Sequence, residues 1–153
     1  MPPKNSPAGT PDRRRIVVRR TFSAPAETVF DAWLDPAGVG RWLFATPTGK
    51  MARVEIDARV GGRFVLAEQR PDGLLEHVGV YREIVRPRRL AFDFTVPKFS
   101  SEATRVTIDF APRGQGCEIT LTHEGVLPEY ASATTAGWTG ILEHLAKLVP
   151  SAH

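Results

Sequence analysis

The run Gly137-Trp138-Thr139-Gly140-Ile141-Leu142-Glu143-His144-Leu145-Ala146-Lys147-Leu148-Val149 decides the fold. At about 100° per residue, Trp138, Ile141, Leu142, Leu145, Leu148 and Val149 share one helical face, and Glu143, His144 and Lys147 share the other. A stripe of that width needs a second layer to bury it. The chain ahead of it supplies strands. Segments near 51–58, 62–70, 74–86, 88–96, 103–111 and 116–124 are rich in Val, Ile, Phe or Thr. Between them stand Gly61-Gly62, Pro71-Asp72-Gly73, Pro87-Arg88 and Arg113-Gly114-Gln115-Gly116, all turn chemistry, and a looser loop at 97–101. Leu90/Phe92/Phe94/Val96 and Val106/Ile108/Phe110 alternate, so each strand has one better-buried face. The reading is α+β: an antiparallel meander with a helix near 128–149 lying across one face.

Upstream, 15–22 reads as a first strand. Pro25 opens a helix with Glu27 in its first turn, where a carboxylate suits the dipole. Ala26, Val29, Phe30 and Trp33 form its apolar face, and Asp35-Pro36 ends it and starts a second short helix. Arg41-Trp42-Leu43-Phe44 follows, then a Thr/Pro/Gly loop at 45–50.

The 153 residues fit one domain, expected over 15–150, after a basic tail at 1–14 whose Pro/Gly/Ser composition favours disorder. Residues 1–15 carry a net charge of +3, as does the whole chain, so the remainder balances to zero. That argues against a nucleic-acid surface. No apolar run has the length of a signal peptide or a membrane span, and a cytoplasmic protein is the expectation. Cys117, the single cysteine, reads as a small buried hydrophobe. Serine-elbow, phosphate-loop and dinucleotide motifs are missing, and the four histidines are scattered, so neither catalytic residues, a metal nor a cofactor is assigned.

The string Thr21-Phe22-Ser23-Ala24-Pro25-Ala26-Glu27-Thr28-Val29-Phe30-Asp31-Ala32-Trp33-Leu34-Asp35-Pro36 resembles the opening signature of the START-like (SRPBCC) superfamily. Within it, the match is to the branch named for the activator of the heat-shock-protein-90 ATPase. Later segments agree in order, among them Gly61-Gly62-Arg63-Phe64, Gly79-Val80-Tyr81-Arg82-Glu83-Ile84, Leu121-Thr122-His123-Glu124-Gly125 and Gly137-Trp138. The resemblance implies a helix-grip fold: about seven antiparallel strands wrapped around a long C-terminal helix, with two short helices after the first strand. It also implies a cavity between sheet and helix for an apolar or amphipathic molecule of lipid, sterol or polyketide-like chemistry. Cyclase or aromatase chemistry, and a chaperone-interaction module of the stress response, are the alternatives it carries.

The residues offer a route to such a cavity. Those at 131–137, Ala-Ser-Ala-Thr-Thr-Ala-Gly, are all small and leave room if they open the helix; the alternative is a closed core beneath them. Trp33, Trp42, Phe64, His77, Tyr81, Phe92, Phe94, His123, Ala133, Gly137 and Trp138 are the candidate ligand contacts. His77, Gly79, Tyr81 and Glu83 are expected on one face of their strand, and a His or Tyr there would orient a ligand by hydrogen bonding. Arg63 is a further candidate, for a carboxylate head group.

Overall fold

The protein is described from a computed structural model, which covers residues 13–46 and 48–149. Strand β1 is Arg14–Phe22, followed by helix α1, Ala26–Trp33, and a single 3-10 turn, Val39–Arg41. Strands β2 (Lys50–Ile56), β3 (Arg63–Arg70), β4 (Gly73–Val85), β5 (Arg89–Thr95), β6 (Thr104–Arg113) and β7 (Gly116–Val126) follow. A 3-10 turn, Pro128–Tyr130, leads into helix α2, Ala131–Leu148. The strands form one antiparallel sheet in the order β1-β7-β6-β5-β4-β3-β2. The helix-grip expectation holds: seven strands, a short helix after the first and a long C-terminal helix. The second short helix is reduced to the 3-10 turn.

Pro25 is the N-cap of α1, its fixed φ setting up the first turn, with Glu27 placed for the dipole. Ala26, Val29, Phe30 and Trp33 are buried, as their spacing requires. In α2, Trp138, Leu142 and Leu145 are buried. Ile141 is half-buried against the core, whereas Leu148 is 47% exposed. The Arg20–Glu143 ion pair, at 2.6 Å, ties α2 to β1. The most N-terminal residues fall outside those described. Arg13, however, donates to the Gly125 carbonyl at 3.0 Å and pairs with Glu102 at 2.8 Å, so the fold begins before residue 15.

Register decides which side chains share the inner face, the one covered by α1 and α2. Ile16, His123, Val106, Phe92 and Tyr81 stand opposite one another across β1, β7, β6, β5 and β4. Phe64, Gly79, Phe94 and Thr104 do the same across β3, β4, β5 and β6. Directly opposed residues face the same way, so these rows build one surface. Gly79 is required there, because a Cβ would collide with the Phe64 ring. Glu83 leaves this face. A register shift between Tyr81 and Glu83 makes Arg82 an extra residue, which turns Glu83 outward beside Ala91 and near Arg89.

Candidate functional site

The inner face and α2 enclose an aromatic layer. Trp138, only 3% exposed, is its hub. Its ring lies 6.0 Å from His123, 6.4 Å from Phe94 and 6.5 Å from Trp33. Trp33 meets Trp42 edge to face at 4.7 Å. Phe94 continues to Phe92 at 6.3 Å, Phe92 to Phe64 at 5.0 Å, and Phe64 to Tyr81 at 5.6 Å. His77 lies parallel to Phe94 within 12°. Of the candidate ligand contacts singled out in the sequence, all but Ala133, Gly137 and Arg63 therefore meet in one network of rings.

Ala133 and Gly137 are exposed, and a Cβ on Gly137 would meet open space. Trp138 fixes the inward direction of α2. Stepping back by seven residues reaches Ala131, which packs on the core, whereas Gly137 sits a full 100° step away, as expected for about 3.6 residues per turn. Arg63 is exposed as well, on a shallow groove of about 310 Å³ beside Glu55, Asp57 and Arg59.

The space beneath α2, expected to be open, is occupied by a residue that sequence reasoning did not single out. Phe44 comes from the loop between the 3-10 turn and β2 and is 8% exposed. Its ring lies flat over His77, centroids 4.2 Å apart and planes 3° apart, and over Phe94 at 5.2 Å and 13°. Trp138 closes on it edge-on at 5.7 Å. Phe44 holds φ +60°, the left-handed region, which costs a non-glycine residue roughly 1–2 kcal/mol. The only hint in the sequence was a bulky apolar residue directly ahead of a Thr/Pro/Gly loop.

Glu68 pins that loop. Its Oε2 accepts from the Thr46 backbone N–H at 2.7 Å and the Thr46 hydroxyl at 2.9 Å, while Oε1 accepts from Arg70 Nε at 2.6 Å. Burial pushes the Glu68 carboxyl up, but these donors and the Arg70 charge outweigh it and hold it below the usual range. Gly49 passes so near the carboxylate that a Cβ would overlap it.

Two histidines sit in the layer, each 6% exposed. Trp138 Nε1–H donates to His123 Nδ1 at 3.0 Å, so Nδ1 carries no proton. His123 Nε2–H then donates to Thr104 Oγ1 at 2.7 Å, and Thr104 donates on to the Phe94 carbonyl at 3.4 Å. His77 Nδ1–H donates to the Leu66 carbonyl at 3.3 Å, which leaves Nε2 as an acceptor. Burial lowers both rings to about 4, against a partial upward pull on His77 from its Leu66 bond, so both are neutral near pH 7. Trp33 Nε1 is buried with no acceptor among the described residues. Burial also pushes the Tyr81 phenol up. Among the described residues there is no cluster of His, Cys, Asp and Glu able to hold a metal ion.

Residues 23–150 match the family of Activator of Hsp90 ATPase homolog 1-like proteins. The chain belongs to that family. Among solved structures, this family member is similar to protein CV1439 from Chromobacterium violaceum, at 28% identity and TM-score 0.80, covering 88% of this chain and 96% of that one. It is similar to protein Mll3558 from Rhizobium loti, at 26% identity and TM-score 0.76, covering 90% and 98%. The AHSA1-like protein from Aeromonas hydrophila aligns at 25% identity and TM-score 0.76, covering 88% and 90%. A search of curated proteins returns no match.

Proposed function

We propose that this protein binds a small apolar or amphipathic molecule, of lipid, sterol or polyketide-like chemistry, in the aromatic layer between α2 and the sheet. One observation carries the reading. Within a layer of rings, one uncharged polar atom, Trp33 Nε1–H, is buried without a partner among the described residues. Buried polar atoms are nearly always paired, so a free donor in an apolar layer fits a ligand that supplies the missing acceptor. Membership in a family of the START-like fold supports the same reading.

Binding without chemistry is favoured over cyclase or aromatase activity. A base held near 4 is a weak proton acceptor at neutral pH, and Glu68 is committed to Thr46 and Arg70. A chaperone-docking role has one observation in its favour, an open groove of about 490 Å³ between α1 and the end of α2, where Leu148 and Val149 face Asp31, Asp35 and Arg41. No helix among the described residues is long and apolar enough to cross a membrane. A cytoplasmic setting accords with Cys117, buried and pushed up to about 11 by that burial.

Thermal unfolding against a panel of fatty acids, sterols and flat aromatic polyketides tests the proposal. A ligand at a hundred times its Kd stabilises by about 2.7 kcal/mol, or roughly 5–10 °C in a domain of this size. At least one panel member should give that shift. A panel without any shift refutes small-molecule binding and leaves the docking role.

A further inference from the structure

We propose that Phe44 is a built-in occupant of a binding slot for a planar, uncharged aromatic ring bearing a hydrogen-bond acceptor, and that such a ligand replaces the Phe44 ring over His77 and Phe94. This rests on the reading above, that the layer binds a small molecule, and adds where it binds, what shape it has and what must move.

The slot is defined by what already fills it. Its floor is a flat aromatic surface, since His77 and Phe94 are parallel within 12° and Phe44 lies parallel to both. Its wall is the edge-on Trp138 indole. Flat stacking selects planar rings over branched aliphatic ones. Apart from Trp42 and Phe44, every ring in the layer stands on a strand or a helix, held by the sheet ladder or by helical hydrogen bonds. Trp42 and Phe44 stand on the loop after the 3-10 turn, and of the two it is Phe44 whose backbone lies in the left-handed region. Backbone strain of this kind persists only where the surroundings enforce it, and here they do so through the Thr46–Glu68 contacts. Release of that tether frees the ring without unpairing any strand.

The acceptor requirement comes from Trp33. Its indole N–H has no partner among the described residues, and its ring is 2% exposed. Trp33 and Phe44 both pack on Trp138, so the donor borders the same ring as the slot, and the ligand proposed is a fused ring longer than phenylalanine. A carbonyl oxygen at its end satisfies it. Charged ligands are disfavoured, because both histidines are neutral near pH 7 and an ion in this layer is left without a counter-charge.

Coumarin, planar and carbonyl-bearing, and naphthalene, similar in shape without an acceptor, are the probes, titrated calorimetrically into the full chain. Phe44→Ala removes the competing ring and should bind both probes at least roughly tenfold more tightly than the natural protein. Coumarin should bind more tightly than naphthalene, and Trp33→Phe should erase that preference. Should Phe44→Ala fail to fold, Thr46→Val, which loosens the tether and keeps the ring, decides: tighter coumarin binding supports the slot, and unchanged affinity overturns it. Binding by the natural protein that Phe44→Ala leaves unchanged overturns the slot while the layer-binding reading stands. No binding by either protein overturns the slot, and the thermal panel of fatty acids, sterols and polyketides then decides the layer-binding reading. A preference for coumarin that survives Trp33→Phe overturns the acceptor assignment.

Discussion

Acidification from about pH 7 to about pH 4 is expected to cost this fold on the order of 6 kcal/mol, most of it before the carboxylates titrate. The cause is the pair of buried neutral histidines. Both have native values lowered from 6.5 to about 4. Between those values the unfolded chain takes up two protons that the native protein refuses. Stability therefore falls as pH falls through this window, and the loss saturates below it, where both states are protonated. Each histidine contributes on the order of 3 kcal/mol, against a total stability of about 5–15 kcal/mol for a typical domain. In His123 the chemistry reinforces burial, because an imidazolium has no lone pair for the Trp138 N–H. Glu68, held low by its Thr46 and Arg70 donors, and Asp93, held low by Arg105 and Arg82, both against burial, cost stability in the same direction at lower pH. Urea unfolding at stepped pH should show a slope near 2.7 kcal/mol per pH unit in mid-window, about half of which disappears in His77→Phe. A flat profile between about pH 6 and pH 4.5 would contradict the assignment of two buried neutral rings.

Truncation of Trp138 is the second large effect. Trp138→Ala removes the ring that joins Trp33, Phe44, Phe94 and His123, and leaves His123 Nδ1 without its donor. A loss of about 3–5 kcal/mol is expected, the range for large aromatic truncations in a core. Trp138→Phe keeps most of the packing and should cost only about 1–2 kcal/mol, mainly the hydrogen bond. It should also raise the His123 midpoint, because a neutral Nδ1 without a donor is more readily protonated. A Trp138→Phe protein with the His123 titration of the natural one, followed by NMR, would show that the indole N–H does not hold that ring neutral.

The sequence exposed the parts of this architecture that follow from periodicity. The Trp138–Leu145 stripe, the six turn-separated strands and the Pro25 helix start are local patterns, and each forms within a residue or two of its expected place. Three features were hidden for physical reasons. The expectation for Ala133 and Gly137 took small size as a sign of facing inward, but the helical phase set by Trp138 turns both outward. Glu83 followed the alternation of His77 and Tyr81 until the extra residue Arg82 reversed it, and such bulges leave no alternation signal. Phe44 lies in a loop, where no period applies, and its place over His77 depends on Glu68, distant in sequence, holding Thr46. The polar atoms that shape the candidate site depend equally on tertiary contacts. Nothing in the order of residues shows that Trp138 meets His123 or that Trp33 lacks an acceptor.

Entry of a small molecule into the layer between α2 and the sheet is read out by the indole N–H resonances of the three tryptophans during titration with coumarin. Trp33 and Trp138 should both shift, Trp33 downfield as its bare N–H gains an acceptor and Trp138 as the ring packed against it is exchanged. If all three indole signals stay in place up to the solubility limit of coumarin, the layer does not take up the ligand, and the account of this site is wrong.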